Sequence, residues 1–452
     1  MRYNRYISLI LCLITVATAQ AQQSLTLQQC LQMALEHNAD IAASNRALSA
    51  AQYTAKSYKA LFFPSISGFA TGLYSNAQGS FSEPGGALPL RNMATGAFDL
   101  TTVALFPGMT IGYNVDGIFL GGVSLEQPIY MGGKIMAASE MARLGVKAAG
   151  LQKTLTASEV IQQTSVAYAQ AVQANEMKQV ARTYQQLLME LLANVQSAYR
   201  HGLKPQNDVL KVQVKLDESS LQLQKASNAL VLAKMNLCHL IGRPLYDDIQ
   251  LDDVLAADLY AETANYQSVA SRPEFALLEL KVAEAAQQVK LNRSEMLPKV
   301  GLKGTYSYLN GLKINNSKFF DDASYAVLLN VSLPLYHFGE RTNKVKAAKA
   351  REEQARLEQQ SKTQQMELEL TRASQMMQEA KMESDLTQQA MKQAEENLRL
   401  SRSRYDAGKE PLSDLLEAQM LYRNAQANCV NASFALYNSV ISYRKAAGVL
   451  CE

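Results

Sequence analysis

The chain has 452 residues, 48% of them hydrophobic, and sets 44 Lys and Arg against 41 Asp and Glu. Near-neutral charge excludes an electrostatic grip on nucleic acid, and scattered cysteines with no Cys-x-x-Cys pair exclude a zinc or redox motif. Beyond the first residues no run of about 20 apolar residues occurs, so no spanning helix is expected.

Residues 1–21 read as a secretory signal peptide: Arg2 and Arg5, an apolar run from Tyr6 to Ala17, then Ala19-Gln-Ala21. Cys12, inside that run after Leu11, does not suit a lipoprotein cleavage site. Residues 22–452 read as one protomer of two repeats, 24–244 and 262–448, joined by an acidic segment, 245–261. Leu27–Ala60 is expected to be one helix with Thr26 as N-cap. A strand follows at about 64–75, where Ile66, Gly68, Ala70 and Gly72 alternate with Ser65, Ser67 and Thr71. The Gly-, Ser-, Pro- and Asn-rich stretch up to Gly117 is an insertion absent from the second repeat and is expected to be loop. A second strand spans about 117–130. A proline-free helix from about Gly133 to Tyr199 would reach roughly 100 Å, and a return helix carries a three-four apolar step from Val209 to Leu240.

The second repeat runs through a helix at Gln267–Glu295, strands at about 299–309 and 324–336, a helix from Gly339 to Tyr405, and a return helix stepping from Leu415 to Ala446. The strands carry apolar residues on one side and polar ones on the other. That suits a lipid-facing barrel wall around water better than an ordinary antiparallel sheet over a soluble core. With no Trp, an interfacial girdle would fall to Phe62, Phe63, Tyr130, Phe319, Phe320 and Tyr336. The helices carry heptads: Met366, Leu370, Ala373, Met377, Ala380, Ser384 and onward to Tyr405 step by four and three. Such a seam means helix-on-helix packing, and its small residues permit close approach. Cys429 falls on this seam and is expected to be a small buried hydrophobe. The fold class is therefore mainly α with a membrane β-barrel part.

Tyr199-Arg-His-Gly202-Leu-Lys-Pro205-Gln-Asn-Asp208 returns as Tyr405-Asp-Ala-Gly408-Lys-Glu-Pro411-Leu-Ser-Asp414. A repeat this long implies a duplicated protomer, not a solenoid. At each turn the glycine suits a left-handed helix end, the proline suits the start of the next helix, Asn207 and Ser413 are polar capping types, and the aspartate lies in the first turn, where the helix dipole favours it. Four strands cannot close a barrel, and open edges are not tolerated in lipid. Three copies would give twelve strands and twelve helical columns, closing as a trimer into a 12-stranded β-barrel plus a 12-helix α-barrel.

Leu25-Thr-Leu-Gln-Gln-Cys-Leu-Gln-Met-Ala-Leu-Glu-His-Asn38, Leu125-Glu-Gln-Pro-Ile-Tyr-Met-Gly-Gly133 and the duplicated Tyr-x-x-Gly turn carry a resemblance. Over essentially all of its mature length the chain resembles the TolC family of outer-membrane efflux proteins. The resemblance implies a homotrimeric, non-catalytic duct without cofactor or metal. It would sit in the outer membrane of a Gram-negative bacterium with a long periplasmic extension, working with a periplasmic adaptor and an inner-membrane RND or ABC-type transporter. It further implies aperture carboxylates at Asp414 and Glu417, a closed-state lock between Tyr405 and Asp208, and adaptor docking at Gly202, Leu203, Pro205, Gly408 and Pro411. Two positions depart from the family pattern. Glu410 stands where a basic residue normally joins the lock, and Lys211 matches Glu417 in the first repeat.

Two other classes fit the sequence less well. The histidines His37, His201, His239 and His337 form no pair, and no nucleophile elbow or phosphate loop is present, which disfavours an enzyme. A secreted or surface structural coiled-coil protein without channel activity would fit the helices but not the alternating strands. The seventeen methionines fall mostly at or beside heptad positions and read as packing, not as soft metal ligands.

Overall fold

The computed structural model describes residues 24–252, 268–315 and 317–450. The signal peptide, residues 253–261 of the connecting segment and Cys451 lie outside the described residues. The chain is mainly helical and divides into two compact units. One holds Met1–Gln52, Leu144–Ala283 and Glu353–Glu452; the other holds Tyr53–Arg143 and Glu284–Glu352. No helix of the described residues is long and apolar enough to cross a membrane.

The first unit is built from helices. Thr26 caps α1 (Leu27–His37) through a reciprocal capping box with Gln29. The single helix expected over Leu27–Ala60 is in fact broken. Asn38 is extended, its Oδ1 accepts from the Asp40 N–H at 2.8 Å, and α2 (Ala39–Ala60) starts afresh. The Asn38 amide also donates to the Leu240 carbonyl, which fixes the break against the end of a later helix. The two long helices are α3 (Lys134–Arg200) and α6 (Glu340–Asp406), of 67 residues each. Each is followed by a shorter return helix, α4 (Gln206–Leu240) and α7 (Leu412–Ala447). Helix α5 (Pro273–Ser294) precedes the strands of the second repeat.

The heptad residues do meet. Leu237 packs with Val160, Val172, Cys30 and Ile249 in one buried cluster, and Met366, Leu370, Met377 and Tyr443 pack with Val440 in a second. Tyr168 is buried, with its hydroxyl 2.6 Å from the Asp252 carbonyl, tying the first residues of the connecting segment to α3. Cys429 is half-buried, less covered than its seam position suggested.

The second unit contains the sheet, in order β1 (Ser65–Leu73), β5 (Met109–Met131), β6 (Lys299–Ile314) and β7 (Ser317–Ser332), all antiparallel. The register aligns the apolar residues across it. Ile66, Leu125, Gly304 and Val327 form one rung, and Gly68, Val123, Tyr306 and Tyr325 the next. The opposite face carries Ser65, Glu126 and Lys303, then Ser67, Ser124 and Thr305. Here Lys303 pairs with Glu126 at 2.6 Å and the Ser67 and Ser124 hydroxyls bond at 2.8 Å. Phe69, Leu120, Leu309 and Leu328 are apolar exceptions on the polar face. Ile66, Tyr325, Val327 and Val331 are exposed. Neither β1 nor β7 has a ladder partner on its outer side among the described residues.

Three strand expectations fail. β6 runs on to Ile314 and β7 starts at Ser317, past the expected limits of about 309 and 324. The last strand ends at Ser332 and does not reach Tyr336, because Pro334 brings no N–H to a ladder. The stretch before Gly117 is not loop. Its residues form β2 (Ala77–Glu83), which pairs with an outward extension of β5, and a separate hairpin of β3 (Gly86–Arg91) and β4 (Phe98–Phe106). Phe62, Phe63, Tyr130 and Tyr336 are exposed at or beside strand ends, while Phe319 and Phe320 lie within β7.

Candidate functional site: the two helix-turn tips

Each tip begins where a long helix runs into a glycine. After α3, the Gly202 N–H donates to the Tyr199 carbonyl and the Leu203 N–H to that of Ala198, both at 2.9 Å. After α6, Gly408 bonds Tyr405 at 2.9 Å and Lys409 bonds Arg404 at 2.8 Å. The two tips thus share one Schellman-type backbone. Gly202 and Gly408 have φ of +75° and +72°, and a Cβ at either would touch nothing within 4 Å. The left-handed backbone, not lack of room, is what calls for glycine.

Pro205 and Pro411 are extended and stand at the N-cap with no side-chain cap bond, so Asn207 and Ser413 do not cap. Proline's fixed φ sets the entry into each return helix instead. Asp208 and Asp414 lie in the first helical turn. Leu191, Val195, Val212, Leu412 and Leu415 form a buried cluster that includes Tyr405 and Leu416 at its margin, so both tips rest on one apolar base.

Above that base the polar groups separate. The Tyr405 hydroxyl is pushed above the usual tyrosine range by burial and then by the negative charges of Asp208 and Asp406. Tyr405 and Asp208 are thus neighbours, yet no hydrogen bond joins them in the described protomer. The Asp208 carboxylate pairs instead with Lys211 at 3.8 Å. The Lys204 ammonium sits 4.8 Å from the Tyr405 ring centroid, a cation–π distance. Glu410 accepts a hydrogen bond from the Ser401 hydroxyl of its own hairpin. Asp414 and Glu417 are exposed, three residues apart on one helix face, and the Ser413 hydroxyl bonds Asp414 at 2.9 Å. Gly202, Pro205, Gly408 and Pro411 are exposed, and Leu203 retains 76% of its surface.

Lys204 and Ser401 were not singled out from sequence. A signal for Lys204 existed, because the repeat offset maps it onto Glu410: the first repeat carries a cation where the second carries an anion. Ser401 lies on the small-residue seam, and nothing there marks it as a partner of Glu410.

Comparison with known proteins agrees with this architecture. The curated Outer membrane protein TolC of Vibrio cholerae serotype O1 is 22% identical over 380 residues, covering 80% of this chain and 86% of that protein. The crystal structure of the outer membrane protein VceC from Vibrio cholerae superposes with a TM-score of 0.74 at 19% identity, over 93% of this chain and 96% of that one. The Campylobacter jejuni CmeC outer membrane channel gives 0.72 at 19% identity, over 93% and 85% of the two chains. The model of the family described as "Outer membrane efflux protein" matches residues 30–243 and 265–449. With that model matching most of its length, the chain belongs to the outer membrane efflux protein family.

Proposed function

We propose that three copies of this chain close into one outer-membrane exit duct, a 12-stranded barrel continued by twelve helical columns. The observation that carries the reading is the sheet β1-β5-β6-β7: apolar and exposed on one face, polar on the other, unpaired at both outer edges. Backbone groups at such edges cannot remain unpaired in hydrocarbon, and sister copies supply the missing strands. The two repeats are read as a duplication of one strand-pair and helix-hairpin unit. The duct is passive and non-catalytic. It is loaded by a periplasmic adaptor and an inner-membrane RND or ABC-type transporter.

Within the duct, Asp414 and Glu417 from three copies provide six carboxylates at the periplasmic aperture, a ring that favours cations. Tyr405 and Asp208 form the closing contact, with Lys204 supplying the cation that Glu410 does not. Gly202, Leu203, Pro205, Gly408 and Pro411 present the adaptor-docking surface. A structural coiled-coil protein without conductance is disfavoured by the exposed apolar strand face. The test is native mass measurement of the lipid-extracted protein together with single-channel recording in planar bilayers. Trimers with discrete conductance are expected; a non-conducting monomer would overturn the reading.

A further inference from the structure

The β3–β4 hairpin has no counterpart in the second repeat, where β6 passes to β7 between Ile314 and Ser317. It is detached from the main sheet. The β2–β5 ladder ends at Glu83 opposite Met109, and the β3–β4 ladder begins at Gly86 opposite Phe106. Between them, Pro84-Gly85 faces Pro107-Gly108. The prolines, at adjacent levels of the ribbon, each remove an N–H from one of the two strands. The glycines let the backbones touch: a Cβ on Gly85 would lie 2.6 Å from the Gly108 nitrogen, and one on Gly108 2.9 Å from the Gly85 nitrogen. The result is a double Pro-Gly hinge.

Beyond the hinge the ribbon is apolar on both faces. Leu105 and Val103 point to one side and Leu88 and Phe106 to the other, while Leu100 and Leu105 keep 81% and 80% of their surface exposed. The charged residues of the hairpin are Arg91 and Asp99, and both are used locally. The Arg91 Nε–H donates to the Gly96 carbonyl at 2.9 Å, and Asp99 accepts from the Thr101 N–H and hydroxyl. Met93 is fully exposed and Phe98 and Leu88 keep 68% and 61% of their surface, and clustered apolar exposure of this kind marks a contact site on a protein surface.

Two environments fit poorly. Water leaves that apolar area wet. Hydrocarbon leaves both outer edges of a two-stranded ribbon unpaired, at a cost of several kcal/mol per group. A partner that covers apolar faces and also presents free strand edges resolves both, and the same hairpin of a neighbouring copy is such a partner. We propose that the three β3–β4 hairpins of one assembly join edge to edge into a small ring that turns one apolar face of each hairpin inward against the others, an apolar lid over the mouth of the duct. They sit past Met109, at the opposite end of β5 from Met131, where the chain passes into α3. A three-fold axis closes the head-to-tail contact of β3 on the next β4. The lid rests on the trimeric reading above.

The test uses the full-length protein in native membranes and two single substitutions at exposed positions, Leu100→Cys and Leu105→Cys. A short bis-maleimide is expected to join subunits through either position, giving dimer and trimer bands lost on omitting the reagent. A second variant carries Leu100→Asp with Leu105→Asp and is expected to raise open probability in bilayers without changing assembly. If the wild-type protein is a conducting trimer and maleimide labels both cysteines, yet no bands form at either position, the lid is overturned while the duct stands. Bimane at the same cysteines quenched by doxyl lipid, with no cross-links, overturns it in favour of the bilayer. A wild-type monomer removes the underlying reading instead.

Discussion

Glycine at the tips illustrates how one backbone angle fixes a site. At Gly202 and Gly408 an alanine would meet no neighbour but would have to hold a positive φ. Each Gly→Ala change is therefore expected to cost about 1 kcal/mol, measured by chemical denaturation of the assembled protein, while Gly→Asn should cost less. Tyr405 beside them titrates late. Its folded-state pKa is raised, so its proton-linked contribution is complete below the usual tyrosine value of about 10 and disappears as pH climbs through the raised value. Leak through the resting duct should therefore be flat at neutral pH and increase only in strong alkali. Tyr405→Phe should leak at neutral pH, read as uptake of large antibiotics. Aperture charge is tested separately. Asp414→Ala with Glu417→Ala should weaken block by polyvalent cations in single-channel recordings. Cys30 makes a different point. Burial, opposed in part by Arg243, lifts its thiol to about 11, so alkylation should reach it only after unfolding.

At the scale of elements, one joint concentrates the electrostatics of the second repeat. Arg272 is 4% exposed and bonds Glu369 at 2.9 Å and Glu274 at 3.2 Å. Burial opposes its charge, and the two carboxylates more than offset that cost. Replacing both by glutamine leaves the guanidinium covered and unneutralised. A destabilisation of about 2–4 kcal/mol is expected, seen as a lowered denaturation midpoint, whereas either single change should cost less because Glu369 is half exposed.

Elements also differ in how plainly they are written in the sequence. The long helices and their returns were readable because heptads repeat without a proline and end in Gly then Pro. The break at Asn38 was hidden, since neither Gly nor Pro marks it. It comes from a side-chain turn and a bond to Leu240. The hairpin strands were hidden for the opposite reason. Their Pro and Gly content resembles loop chemistry, and those residues in fact form a hinge. Of the tip, the glycines, prolines and aspartates were legible. The contacts of Lys204 and Glu410 required knowing which hairpins lie side by side.

For the whole molecule, the sheet sets the terms of life before assembly. On the trimeric reading, each copy carries β1 and β7, before assembly, as sticky borders beside a greasy face. Encounter between such copies is at least second order, so maturation should slow as synthesis falls, and a pulse-chase at two expression levels should show it. The same borders accept the wrong neighbour as readily as the right one, which makes a strand-holding escort a requirement of biogenesis. Depleting periplasmic holdases should divert this chain into aggregates while its helical hairpins remain protease-resistant.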